Sequence, residues 1–467
     1  MSVSDVAFLT IPELGRLLRL RRISAVELAG HCLDRLERLG PPCSAVVRVL
    51  REPALAEARE RDAELARGKD RGSLHGIPYG VKDLVSVEGA PPEWAAPAYR
   101  TPLPQGDATI VRRLRRAGAV LCAKLAMPEF AGGIGARPSA GRCAGPGRTP
   151  WDLSRWSGGS SSGPGAAVAA GLVPFAVGSE TWGSIQYPSA FCGVSGLRPS
   201  LGRVSRHGAI ALSGTMDKLG PIARTVEDCG VVLAAMAGSD PEDPTTLTRR
   251  FTRSSRNDSR RLRIGVLRGS LDGVQPAVRD NFLSSLDRLG EIGDLVEDLE
   301  LPDHPYDALA GLVLDAEAAS SFDPVLGRRR IVALAAPDDR VGRYAGADVL
   351  AGDYLRALRL RRPAAAALDR LLSQVDAIAA PTLPTVAWPL DVAPGDAYPE
   401  YPGGTDVAGA ANLCGVPAVF MMNGTGEQDL PTSLQLTARA QTEATLLEIG
   451  MQYQARTTFH RRRPPGF

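Results

Sequence analysis

Three side chains in this sequence are of the types and in the settings that acyl-transfer chemistry needs. Two are serines in neighbouring small-residue loops: Gly158-Gly-Ser-Ser-Ser-Gly-Pro164, and Gly178-Ser-Glu-Thr-Trp-Gly-Ser184-Ile-Gln-Tyr-Pro-Ser-Ala-Phe-Cys-Gly193. Glycine-dense loops let backbone N–H groups approach a ligand closely, and two hydroxyls beside such a nest could serve as a nucleophile and its relay. An isolated loop of this kind is usually just a tight turn. What reverses that reading is the pairing of two such loops with a lysine.

Of the 54 basic residues only Lys69, Lys82, Lys124 and Lys218 are lysine, and the rest are arginine. In a chain that writes arginine so consistently, a retained lysine invites a reason that arginine cannot meet. Arginine does not give up its proton in a protein, whereas the pKa of lysine falls readily on burial. Lys82 closes a short apolar run bracketed by glycine and proline, His75-Gly-Ile-Pro-Tyr-Gly-Val-Lys82-Asp83, although a lysine at a strand end is ordinarily solvated. For Lys124 and Lys218 packing or pairing is the expected role, and Cys192 beside the serine loop reads as a small core residue.

The elements that must position these groups follow from the pattern. Pro164 to Ala170 reads as a helix stopped by Gly171, and Val173 to Val177 as the strand that carries the second serine loop to a sheet edge. Thr10-x-x-Glu13 and Ser24-x-x-Glu27 are capping boxes before leucine-rich helical periods, and residues 52–67 continue as a charged helix. A helix capped by Asp107 and ending at Gly118 leads into a strand over Ala119 to Ala123 that ends at Lys124. Residues 131–150 read as a loop and 195–208 as turn-rich. Thr225 opens a helix through Met236, and residues 239–261 look like an exposed connection.

Further on, strands are expected over Leu262–Leu267 and Leu295–Leu299, with a helix from Pro276 between them. Residues 305–374 read as helical, and 375–381 as a buried strand entering a proline-bound loop. A segment from Ala408 to Leu413, the Gly415-Val-Pro417 turn, strands to Met422 and over Ser433–Leu436, and a helix from Thr442 to Gln454 close the chain.

Composition narrows the function classes. With 54 basic against 52 acidic residues the net charge is +2, which does not make a nucleic-acid surface. Seven cysteines without a CxxC pair read as reduced thiols of a cytoplasmic protein. No window is apolar enough to span a membrane, and the five histidines form no HExxH or HxxxH pair, so zinc hydrolysis is not expected.

Taken together, the sequence resembles the amidase signature hydrolases. The matching pieces are Gly76-Ile-Pro-Tyr-Gly-Val-Lys82-Asp83, Trp151-Asp-Leu-Ser-Arg155, Gly158-Gly-Ser-Ser161, Gly183-Ser-Ile185, Pro188 to Gly193, Gly196-Leu-Arg-Pro199 and Gly202 to Arg206. They continue through Asp217-Lys-Leu-Gly-Pro221, Arg224-Thr-Val-Glu-Asp228, Pro381-Thr382 and Asn412-Leu-Cys-Gly-Val-Pro417. The resemblance covers nearly the whole chain in order. It implies one α/β domain with a central mixed twisted sheet covered by helices. Within residues 1–467 the expected parts are a helical arm over about 1–68, a catalytic core over about 69–240, a variable substrate-side region over about 241–374 and a C-terminal core over about 375–467.

The resemblance further implies a triad with no metal or organic cofactor: Ser184 as nucleophile, Ser160 as the bridging serine after a cis peptide, and Lys82 as base. Amides of Thr181, Trp182, Gly183 and Ser184 would form the oxyanion hole. Met127, Phe130, Gln186 and residues 305–330 would face the substrate. Three positions depart from the family pattern. Trp182 stands where glycine is usual, Gln186 where carboxylate-binding members have arginine, and Thr405, with Asp406 one place off, where glutamine-using members have an acid. The expected function is hydrolysis of a neutral or apolar small-molecule amide by a stand-alone amidase, nearer to such enzymes than to the glutaminase component of a tRNA amidotransferase. An amide synthase, cyclase or acyl transferase using the same acyl-enzyme, and a catalytically silent member of the fold, are the alternatives. A small amide or ester is the expected partner, with no nucleic acid, and a homodimer is left open. The GxSxG match at Gly159–Gly163 offers a rival nucleophile, Ser161, which would need His207, His304 or His460 as base.

Overall fold

The computed structural model describes residues 3–93, 106–132, 146–253, 261–330, 345–393 and 396–467. Eleven strands form one mixed sheet: β1 (Val46–Val49), β2 (Pro78–Lys82), β3 (Val120–Leu125), β4 (Phe175–Glu180), β5 (Ser195–Arg198), β6 (Lys218–Ala223), β7 (Leu262–Leu267), β8 (Gly293–Leu299), β9 (Ala377–Pro381), β10 (Ala418–Thr425) and β11 (Pro431–Thr437). Their order across the sheet is β1-β3-β2-β4-β6-β5-β10-β11-β9-β7-β8. Strand β2 runs parallel to both β3 and β4, whereas β4 is antiparallel to β6. Every residue of β2, β3, β4 and β6 is buried. That is why the runs leading to Lys82, over Ala119–Ala123 and over Val173–Val177 read as continuous apolar segments rather than as alternation, whereas the sequence pattern predicts no strand over β6.

Helices cover the sheet. Both capping boxes form: Thr10 starts α1 (Ile11–Arg19) and Ser24 starts α2 (Ala25–Leu39), each hydroxyl accepting from the N3 amide while the N3 glutamate reaches back. Helix α3 (Arg51–Ala66) follows, then α4 (Thr109–Arg116), whose N-cap is Ala108 rather than Asp107. Asp107 is instead taken up by the Glu88 amide and the Arg115 side chain.

Helix α5 (Ser162–Ala169) ends at a turn with Gly171 at φ +64°, and β4 starts at Phe175 and runs on to Glu180, three residues beyond the apolar run. Polar Ser179 and Glu180 are thus carried inside the sheet. The segment 195–208, read as turns, begins with a central strand, β5. Helix α6 (Gln186–Cys192) precedes it and closes on Gly193 in the left-handed region. Helix α7 (Val226–Met236) is capped by Thr225 as expected.

The second half adds α8 (Pro276–Gly290), α9 (Tyr306–Arg330), α10 (Ala351–Leu372), α11 (Ala408–Cys414) and α12 (Glu443–Ala455). A satellite apolar cluster joins α9, α10 and α11, with Tyr306, Ala310, Val313, Leu368 and Leu413 in it. The connection after α7 is less exposed than its composition suggests, because Asp240 and Asp243 are buried under hydrogen bonds from Ser205 and the Arg206 amide. Much of the glycine-rich loop expected at 131–150 lies outside the described residues. Among the described residues no helix is long and apolar enough to cross a membrane, and the six described cysteines are free.

Candidate active site

The two serine loops and the lysine meet where β2 and β4 end side by side. Parallel pairing sets Val81 opposite Val177, so Lys82 and the end of β4 leave the sheet together. The Lys82 side chain is fully buried, and its Nζ donates to Ser160 Oγ at 2.7 Å and to Ser179 Oγ at 2.8 Å. Ser160 Oγ donates in turn to Ser184 Oγ at 2.9 Å, and the Gly159–Ser160 peptide is cis. Three side chains far apart in sequence therefore touch in succession. Burial pushes the Lys82 pKa down from 10.5 to about 7, against the pull of the Asp217 and Glu180 carboxylates.

The turn carrying Ser184 is held from beneath. Glu180, buried at the end of β4, accepts from the Ile185 amide at 2.8 Å and the Gln186 amide at 3.0 Å, and its other oxygen takes Arg198 at 2.7 Å. Asp217 accepts from the Thr181 hydroxyl and from the amides of Leu212 and Ser213. Within the turn Gly183 adopts φ +82°, which only glycine takes without cost, and a Cβ there would stand 2.9 Å from the Tyr187 ring. Trp182 is not among the residues with positive φ. A side chain is therefore tolerated at 182, and its ring packs on the cluster of α9 to α11. The amides of residues 181–184 make no hydrogen bond to a described protein acceptor, leaving them for a ligand.

Ser160, Thr181, Trp182, Ser184 and Gln186 line one cavity of about 760 Å³, the size of a small-molecule site. Asp307, Leu314 and Asp315 of α9, with Thr405 and Asp406, line it too, and no described lysine, arginine or histidine does. Gln186 is buried; its Nε2 donates to the Thr382 carbonyl at 2.8 Å, and its Oε1 has no described partner. Met127 and Phe130 line a different, smaller cavity of about 240 Å³, together with Phe322 of α9. The two chambers share Ala131, Thr181 and Leu212.

Ser161, the rival nucleophile, is absorbed by backbone: it donates to the Ser179 carbonyl at 3.1 Å and accepts from the Ser179 amide at 3.2 Å. Among the described residues it has no histidine partner. Lys124 pairs with Asp83 at 3.3 Å and also donates to the Val85 carbonyl. Sequence reading passed over Ser179, the second acceptor on Lys82, and Glu180. The latter had a visible signal, being the only charged residue between Arg155 and Arg198, its eventual partner.

Known proteins share this architecture. The family model described as Amidase matches residues 27–447. The A subunit of the glutamyl-tRNA(Gln) amidotransferase of Moorella thermoacetica is 37% identical over 98% of this chain and 99% of its own. Among solved structures, a chain from a vestigial complex tied to the origins of an s-triazine catabolic enzyme superposes with a TM-score of 0.86 at 31% identity, covering 96% of this chain and 98% of that one. The peptide amidase of Stenotrophomonas maltophilia gives 0.77 at 29% identity over 98% of both chains.

Proposed function

Because the chain belongs to the amidase family, we propose that it hydrolyses the C–N bond of a small, neutral amide through an acyl-enzyme on Ser184. The observation that carries this reading is the unbroken hydrogen-bond chain from Lys82 Nζ through Ser160 Oγ to Ser184 Oγ at the edge of the larger cavity. Once Lys82 is neutral its lone pair can accept, and the two hydroxyls rotate to donate toward it. Lys82 then takes the proton of Ser160, Ser160 takes that of Ser184, and Ser184 Oγ attacks the amide carbon. The oxygen of the tetrahedral intermediate is met by the free amides of residues 181–184. Collapse sends the relayed proton to the leaving nitrogen, and water then repeats the cycle on the ester.

The lining supports a substrate without a carboxylate. Among the described residues no cation lines the cavity to hold a carboxylate. Gln186 Oε1, buried and unpartnered, can accept an N–H of the substrate. Met127, Phe130 and Phe322 would take an apolar group that enters the second chamber beside Thr181, whose lining also includes Arg206, His207, Glu242 and Asp243.

A second reading is favoured by one observation, the 37% identity to a protein named as the A subunit of an amidotransferase. It would make the site a glutaminase. Against it stand Gln186 and Thr405, at positions where charged groups would hold glutamine. The test is a fluorophosphonate probe followed by an amide panel that includes glutamine. Labelling of Ser184 with turnover of neutral amides supports the proposal; turnover of glutamine alone replaces it with the second reading; a folded protein that neither labels nor turns over any amide overturns both.

A further inference from the structure

We propose that Lys218 is a positioning residue for the turn that receives the oxyanion, a role that rests on the acyl-enzyme reading of Ser184. Lys218 opens β6 directly opposite Glu180, the last residue of β4, and is 2% exposed. Its Nζ donates to Asn412 Oδ1 at 2.9 Å and to the Thr181 carbonyl at 3.3 Å. That carbonyl shares a peptide unit with the Trp182 N–H, one of the amides left without a protein acceptor. A donor on the oxygen of a peptide draws electron density from its nitrogen and strengthens the N–H as a donor on the other side. The Lys218 contact therefore does two things at once: it fixes the plane of the Thr181–Trp182 peptide, and it polarises the N–H of that peptide as a donor to a developing negative charge.

The surroundings fit this role. Thr181 is gripped at both ends, its hydroxyl by Asp217 and its carbonyl by Lys218, so the residue before Trp182 has little freedom to rotate. Asn412 is itself anchored, its Nδ2 donating to the Ala408 carbonyl within α11. The two acceptors match the two N–H groups that a lysine keeps even without its proton, so the grip does not depend on its charge. Arginine at 218 would bring a branched, planar head into a fully enclosed site that already holds Arg198. Lys218 is thus a second lysine that this arginine-writing chain retains beside the nucleophile, in service of the turn and not of proton transfer.

A purely structural lysine is separated from a positioning one by measuring two variants. Lys218→Met removes the donor and leaves both Asn412 Oδ1 and the Thr181 carbonyl without it; Lys218→Met with Asn412→Leu removes the Asn412 acceptor too, which restores part of the lost stability because only the Thr181 carbonyl is then left without its donor. The inference expects kcat for a small amide to fall about tenfold to a hundredfold in both, with KM within about twofold, since only the tetrahedral state uses the polarised amide. It also expects the Ki of a trifluoromethyl ketone, which forms a tetrahedral adduct, to rise by a similar factor. Recovery of kcat together with thermal stability in the double variant, or an unchanged kcat in Lys218→Met, overturns it while leaving the Ser184 chemistry standing. A folded wild-type protein with no amide turnover overturns the Ser184 reading and this inference with it.

Discussion

Arg198 donates to Glu180 at 2.7 Å with both side chains shut away from solvent, and the opposite oxygen of Glu180 holds the amides of Ile185 and Gln186. One carboxylate thereby joins β4, β5 and the start of α6 beneath Ser184. Removing one partner of a buried pair leaves an uncompensated charge, at a cost of about 3–5 kcal/mol. Glu180→Ala is expected to lose stability of that order in denaturant titration and to lose amide turnover with it. Glu180→Gln keeps an acceptor for the two amides and is expected to be the milder change.

The base role proposed for Lys82 demands a group that can be neutral near pH 7. Arginine cannot be. Lys82→Arg and Lys82→Ala are both expected to lower kcat by about a thousandfold or more, within the range that general base and nucleophile activation contribute together. Steady-state assays with folding checked by circular dichroism decide it; full activity in Lys82→Arg would rule out a neutral amine.

Burial brings the Lys82 pKa from 10.5 to about 7. Because the neutral form is the active one, kcat/KM should rise with pH, reach half its plateau near pH 7 and fall about tenfold per unit below that. Lys218 is also pushed down to about 7, chiefly by burial and then by Arg198. Since the positioning role of Lys218 does not depend on its charge, the rising limb should persist in Lys218→Met. Its disappearance there would assign the limb to Lys218.

Ser161 and Ser184 are separated by which backbone they serve. Ser161→Ala forfeits two hydrogen bonds to Ser179 and is expected to keep turnover within about tenfold, at a stability cost of about 1–3 kcal/mol. Ser184→Ala is expected to abolish labelling by a fluorophosphonate. Mass spectrometry of the labelled peptide reads both outcomes, and a label on Ser161 would restore the elbow reading.

Much of the local structure was written in short-range chemistry. Thr10 and Glu13, and Ser24 and Glu27, sit at the spacing at which a hydroxyl and a carboxylate exchange hydrogen bonds with a helix start, and no distant residue is needed to complete either box. The retained lysines at 82, 124 and 218 were legible for a related reason: each proved buried, where a compact ammonium fits and can lose its proton.

What the sequence could not contain was the sheet order. Setting β2 beside β4 puts Lys82 against Ser179 as well as Ser160, and setting β6 on the other side of β4 brings Lys218 under Thr181. The extra length of β4, which carried Glu180 inward, was hidden because a charged residue breaks an apolar pattern unless its partner, here Arg198, is already in view. Met127 and Phe130 went to the second chamber because Phe322 of α9 packs on Phe130, their ring centroids 5.0 Å apart. Contacts between residues scores or hundreds of positions apart depend on which elements become neighbours. Residue type and spacing therefore determined the reactive set and its local scaffolding, and only the tertiary packing decided which groups share a cavity.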